Sequence, residues 1–251
     1  MFELFLVWML VGFLAQFVDG SLGMAYGVSS TTALVTIGVY PALASASVHT
    51  AEIFTTFVSG NAHLRLGNVR RDMILSLVIP GVLGGVTGAY VCSTISANPL
   101  KVIVGGILLA MGLIILYRFT FKRVIHFRTE KPSSRMLSAL GYVAAFMDAL
   151  GGGGWGPIAT TTLVANNVEP SKAIGSVNFT EFFVTVAETL TFLILIGPEN
   201  FNWEIILGLM AGGLICAPIA ALVCKKLPHR ILGILVGAAI ITLSLRTILT
   251  F

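Results

Sequence analysis

Apolar positions in this chain come in long runs: 2–18, 28–39, 73–95, 100–117, 203–224 and 229–250, with short polar turns between them. Several runs reach the ~20 residues that a helix needs to cross a bilayer core. The pattern predicts an all-α integral membrane protein. Membrane segments are expected near 3–19, 25–40, 43–62, 73–95 and 100–118, and again near 136–149, 155–167, 171–196, 203–224 and 229–249. Two places interrupt the apolar pattern with an acid followed by glycines: "DGSLGMAYG" (19–27) and "DALGGGGWGP" (148–157). Glycine and proline disfavour helix interiors, so each interruption predicts a glycine-broken helix.

The two interruptions are copies. Residues 12–27 read "GFLAQFVDGSLGMAYG" and residues 141–156 read "GYVAAFMDALGGGGWG". A shift of 129 pairs Asp19 with Asp148, Gly23 with Gly152, Gly27 with Gly156, Pro41 with Pro170 and Glu52 with Glu181. Positions 12 to 56 carry 18 identities at that shift, which marks an internal duplication. Each half then holds about five segments. An odd number forces the second half to enter from the opposite side, so two inverted repeats are expected. That parity holds even if the first two segments of each half form a re-entrant hairpin. The expected division is a membrane repeat over 1–118, a basic cytoplasmic linker over 119–135 and a second membrane repeat over 136–251. The first apolar run has an internal counterpart and starts with Glu3 rather than a basic region, so it is expected to stay in the mature fold, not to be a cleaved signal.

Composition sharpens this picture. Hydrophobic residues make up 56% of the chain and charged residues 10%, with a mean hydropathy of +0.95. A soluble domain of this length needs far more surface charge. With the N-terminus outside, 13 of the 15 basic residues fall inside, and only Lys101 and Arg246 fall outside. The positive-inside rule favours that orientation. It puts both termini outside, and the expected location is the inner (cell) membrane of a bacterium or archaeon. The pI near 9.1 therefore reports cytoplasmic loops, not a nucleic-acid partner. The linker "RFTFKRVIHFRTEKPSSR" fixes topology or, alternatively, binds lipid headgroups. Cys92, Cys216 and Cys224 show neither metal spacing nor a disulfide framework. No phosphate loop, HExxH, GxSxG, haem or flavin signature occurs. No cofactor, metal or enzyme activity is expected. Oligomeric state is open.

Acids in apolar segments are the candidate chemistry. Asp19, Glu52, Asp148, Glu181 and Glu188 sit in or beside such segments, where carboxylates usually face an interior or a cavity. Asp19 and Asp148 each precede a break, and the next helix opens with hydroxyls: Ser29, Ser30, Thr31 and Thr32, or Thr160, Thr161 and Thr162. Backbone N–H groups at a restarted helix suit an anion. Candidate substrate residues are Gly23, Tyr26, Gly27, Ser29, Ser30 and Thr31 in one half, and Gly152, Gly153, Gly154, Trp155, Gly156, Thr160 and Asn178 in the other. The competing explanation is that glycines serve close helix packing and the aspartates cap helix ends. On the third segments, His49, Glu52 and Thr56 form one polar stripe, and Asn178, Glu181, Thr185 and Glu188 form its partner. Burial disfavours a charged carboxyl, so Glu52 or Glu181 can carry a proton, and His49 titrates near neutrality when unperturbed. An interhelical hydrogen-bond network is the alternative for these stripes. Tyr26 and Trp155 share a repeat position and either wall a pocket or pack.

The repeated "G-x-x-A-x-F-x-D-x-x-x-G-x-x-x-G" opening, with the "P…A…S-V-x-x-x-E" that follows at 41–52 and 170–181, resembles the sulfite exporter TauE/SafE family of membrane permeases. The resemblance covers nearly the whole chain. It implies a secondary transporter of small sulfur-containing oxyanions (sulfite, sulfonates or thiosulfate), with protons as the coupling ion; together with the two repeats, this leads to alternating access as the expected mechanism. Asp19, His49, Glu52, Asp148 and Glu181 are then the candidates for proton coupling or gating. A passive anion channel, or a cation carrier using the intramembrane carboxylates, is the alternative. The halves are unequal: Gly153 and Gly154 align with Met24 and Ala25, and His49 aligns with Asn178.

Overall fold

The computed structural model describes residues 2–22, 24–121, 132–166, 168–223 and 229–249. Among them the chain is helical throughout and has no strand. The first half holds α1 (Phe2–Leu22), α2 (Tyr26–Thr36), α3 (Pro41–Arg65), α4 (Arg71–Thr94) and α5 (Ala97–Phe121). The second holds α6 (Ser134–Gly151), a π-type turn (Gly156–Thr160) that runs into α7 (Thr161–Ala165), then α8 (Pro170–Ile196), α9 (Trp203–Val223) and α10 (His229–Leu249). Three stretches are long and apolar enough to cross a membrane: Arg71–Thr94, Val102–Phe121 and Ser171–Ile196. Phe5–Gly20, Gly156–Ala165 and Trp203–Ala217 are shorter apolar helices. Most of the basic linker, Gly23 and Cys224 lie outside the described residues.

Local chemistry sets the helix ends. Pro41 and Pro170 open α3 and α8, where a missing N–H is harmless and the fixed φ suits the first turn. Ser133 caps α6 by accepting from the Met136 N–H at 3.2 Å. Gly152, at φ 70, ends α6 in the left-handed region that lacks a steric penalty only for glycine.

Packing repeats itself across the halves. Helix α1 packs on α9, and its counterpart α6 packs on α4. Helix α3 touches α9 and α8 touches α4, while α3 meets α8 and α5 meets α10. Glycines let these backbones meet. A Cβ on Gly12 would strike the Leu209 carbonyl, and one on Gly141 would strike that of Leu77. Such small-residue contacts drive helix association where lipid removes the hydrophobic incentive. Outward faces are apolar, as Leu75, Ile79, Leu83 and Tyr90 on α4 show. The acids of the apolar segments, Asp19, Glu52, Asp148, Glu181 and Glu188, are all buried.

Candidate functional site

The second break is held by its own aspartate. Asp148 Oδ1 accepts from the Gly154 N–H at 2.5 Å and from the Trp155 N–H at 3.1 Å. The Asp148 carbonyl accepts from Gly152 at 2.6 Å and Gly153 at 3.1 Å. Neighbouring carbonyls at the end of α6 are also satisfied. Ser45 Oγ donates to Ala149 at 2.7 Å, and Thr31 Oγ1 donates to Gly152 at 2.5 Å. At the first break the Tyr26 N–H faces Asp19 and the Gly27 N–H faces Glu52. The sequence predicts N–H groups offered to a bound anion. In the structure carboxylates of the protein itself occupy them.

The two breaks touch backbone to backbone. A Cβ on Gly27 would lie 2.8 Å from Gly153 Cα and 3.0 Å from the Gly152 carbonyl oxygen. A Cβ on Gly153 would collide with Val28 N, and one on Gly152 with Thr31. These glycines thus serve close approach of the two halves. Gly156 opens the π-type turn, with Pro157 in its first turn. Trp155 is fully buried, and its Nε1–H donates to the Val177 carbonyl at 3.1 Å. Ser29 is half-buried, while Ser30 and Thr160 are buried.

Beside the breaks lies a narrow polar crevice between α1, α2, α3 and α8. Asp19, Tyr26, Glu52, Thr56, Asn178 and Glu181 are among its walls, together with Gln16, Thr55 and Ser59. It is a partly open cleft of about 180 Å³ that, in this conformation, leaves no room for a water molecule. Three carboxylic side chains line it and, among the described residues, no basic one does. Ser59 Oγ donates to Asn178 Oδ1 at 2.8 Å, tying the polar stripes of α3 and α8 together. Thr56 and Thr185, a repeat pair, each return a hydroxyl to the carbonyl four residues back, that of Glu52 or Glu181. The crevice thus gathers Asp19, Tyr26, Glu52, Asn178 and Glu181 from the predicted residues. It leaves His49 and Asp148 elsewhere, one turn before Glu52 on α3 and at the end of α6. There they meet Glu188, a member of the α8 stripe to which the sequence assigns no separate role. Ser45 was missed, although it sits one turn before His49 on the same helix face, which is the signal that points to it.

The model of the sulfite exporter TauE/SafE family matches residues 8–247. The chain belongs to that family. It is 43% identical over 247 residues to the "Probable membrane transporter protein YtnM" of Bacillus subtilis (strain 168), covering 97% of this chain and 82% of that protein. No solved structure matches. Membership makes the chain a membrane transporter, in keeping with its apolar helices.

Proposed function

We propose that this transporter moves a small sulfur-containing oxyanion together with protons, by alternating access between two inverted repeats. The crevice carries this reading. It lies where α3 and α8 meet, between halves related by the 129-residue shift. Its acids repel a dianion when ionised, so an anion can enter only as protons do. Asp19, Glu52 and Glu181 are the proton carriers there, and Tyr26 and Asn178 contribute polar contacts to the substrate. Gly27, Gly152, Gly153, Gly154 and Gly156, with Ser29, Ser30, Thr31, Thr160 and Trp155, shape the broken backbone that moves between states. The inverted arrangement of ten segments, with the division at 118 and 136, is supported by the matching of α1 on α9 with α6 on α4. Broken helices beside a central site are a recurrent transporter plan.

One observation favours a second reading. Carboxylic side chains without a basic partner also suit a carried cation. A ligand-stabilisation scan on detergent-purified protein separates the two. Sulfite, thiosulfate, sulfate, sulfoacetate, chloride, sodium and calcium are compared by the shift in thermal midpoint. The proposal expects one sulfur oxyanion to raise the midpoint more at low pH, with the effect lost in Glu52→Gln. A shift with sodium or calcium alone, lost in the same variant, moves the function to cation transport.

A further inference from the structure

One buried cluster of titratable groups lies outside the crevice. His49, Asp148 and Glu188 come from α3, α6 and α8, and all are buried. His49 Nδ1 lies 2.7 Å from the Ser45 carbonyl oxygen. A carbonyl only accepts, so Nδ1 carries a hydrogen. Nε2 then faces Glu188 Oε2 at 3.0 Å and Asp148 Oδ2 at 3.4 Å. In a neutral ring this nitrogen is an acceptor, and both facing oxygens of ionised acids are acceptors too. None of these three atoms has another hydrogen-bond partner among the described residues. With both acids ionised, three buried acceptors aimed at one another need a proton between them.

We propose that His49, Asp148 and Glu188 form one proton-binding site, separate from the crevice, with the proton on His49 Nε2 shared by the two carboxylates. A charge-assisted N–H···O bond fits the 3.0 Å contact. The surroundings suit a proton. Helix α3 presents Glu52 one turn from His49, and α8 presents Glu181 two turns from Glu188, so the two stripes continue from this cluster to the crevice. From α4, Gly85 lies against the Glu188 side chain, and Phe192 on α8 lies 6.1 Å from the imidazole. The proton also reaches the break. Asp148 offers Oδ2 to the cluster and Oδ1 to the Gly154 and Trp155 N–H groups. Loss of the proton leaves two carboxylates against a lone pair, pushes Asp148 away and frees the break. Glu188 is therefore a positioning residue for the second break. This role in transport rests on the function proposed above; the proton site itself does not.

The test uses the full-length protein in liposomes with ¹⁵N-labelled histidine, read by solid-state NMR from about pH 5 to about pH 8. The His49 signals are assigned by their loss in His49→Gln. Both ring nitrogens are expected to be protonated at about pH 7 in the native protein, and Glu188→Gln should raise the unprotonated fraction about tenfold. An unprotonated Nε2 in the native protein overturns the site, as does one equivalent of tightly bound metal by elemental analysis. Asp148→Asn, which keeps an oxygen for the two N–H groups, serves as a second variant should Glu188→Gln fold poorly. Flux of thiosulfate, driven by a proton gradient in the same liposomes, tests the coupling. Native flux that drops at least about tenfold in Glu188→Gln supports it. Equal flux in that variant overturns the coupling role even with Nε2 protonated. Native liposomes without flux overturn the thiosulfate transport reading, and the proton site is then decided by the NMR signals alone.

Discussion

A carboxylate at the start of a broken helix competes with every other anion for the same N–H groups. Asp148 holds two of them with one oxygen. Truncation to alanine strands two buried donors, and each unsatisfied group costs ~1–3 kcal/mol. Asp148→Ala should thus lower stability by about 3 kcal/mol, whereas Asp148→Asn, which retains an acceptor, should lose less than half of that. Unfolding in a detergent titration measures the difference; equal losses would mean that charge, not hydrogen bonding, holds the break. The first break has a backbone feature of its own. Ala25 sits at φ 100, in the left-handed region, where its repeat partner is Gly154. A left-handed alanine costs ~1–2 kcal/mol, and glycine returns part of that as unfolded-chain entropy. Ala25→Gly is expected to gain about 1 kcal/mol, read as a raised thermal midpoint.

At the scale of elements, glycines decide which helices can meet. Gly141 lies against the Leu77 backbone between α6 and α4, and Gly12 against Leu209 between α1 and α9. Leucine at either position must push a helix aside, since the obstacle is backbone and not a flexible side-chain tip. Overpacking costs ~1–3 kcal/mol and more where nothing yields. Gly141→Leu and Gly12→Leu should each lower the thermal midpoint sharply, while Gly106→Leu, which has open space around its Cβ position, should leave it near the native value. The contrast also marks what could be read in advance. Apolar runs and proline positions place the helices, because span length and helix-start chemistry are local. The 129-residue shift pairs the breaks before any coordinates exist, and it foretells that Asp19 and Asp148 share surroundings. The carboxylate capture of the N–H groups was not legible, because a glycine run looks the same whether it admits a ligand or a neighbouring backbone. Nor was the meeting of His49 with Glu188, which depends on how α3 and α8 cross.

For the whole molecule the open question is sidedness, and the structure brings the relevant cations together. Lys172 Nζ donates to the Gly67 carbonyl, and the Arg70 N–H donates to Ser176 Oγ at 2.9 Å. The loop after α3 therefore touches the start of α8. Arg65, Arg70, Arg71 and Lys172 lie in or beside these contacts, and the positive-inside pattern puts all four in the cytoplasm. Arg230 Nη2 donates to the Thr120 carbonyl at 3.3 Å, joining two further segment ends assigned to that side. If the repeats are inverted, the corresponding loop after α8 must open on the other side. Leu66 and Glu199 are exposed positions in these two loops. Cys92 and Cys216 are buried, so a new surface cysteine in a Cys224→Ser background reports its own side. Glu199→Cys should react with a membrane-impermeant maleimide on intact cells, and Leu66→Cys only after the cells are opened. Labelling of both from one side would leave the duplication intact as a sequence fact but remove inversion. Alternating access by symmetric exchange of the two breaks would fall with it, because both breaks would then face the same compartment.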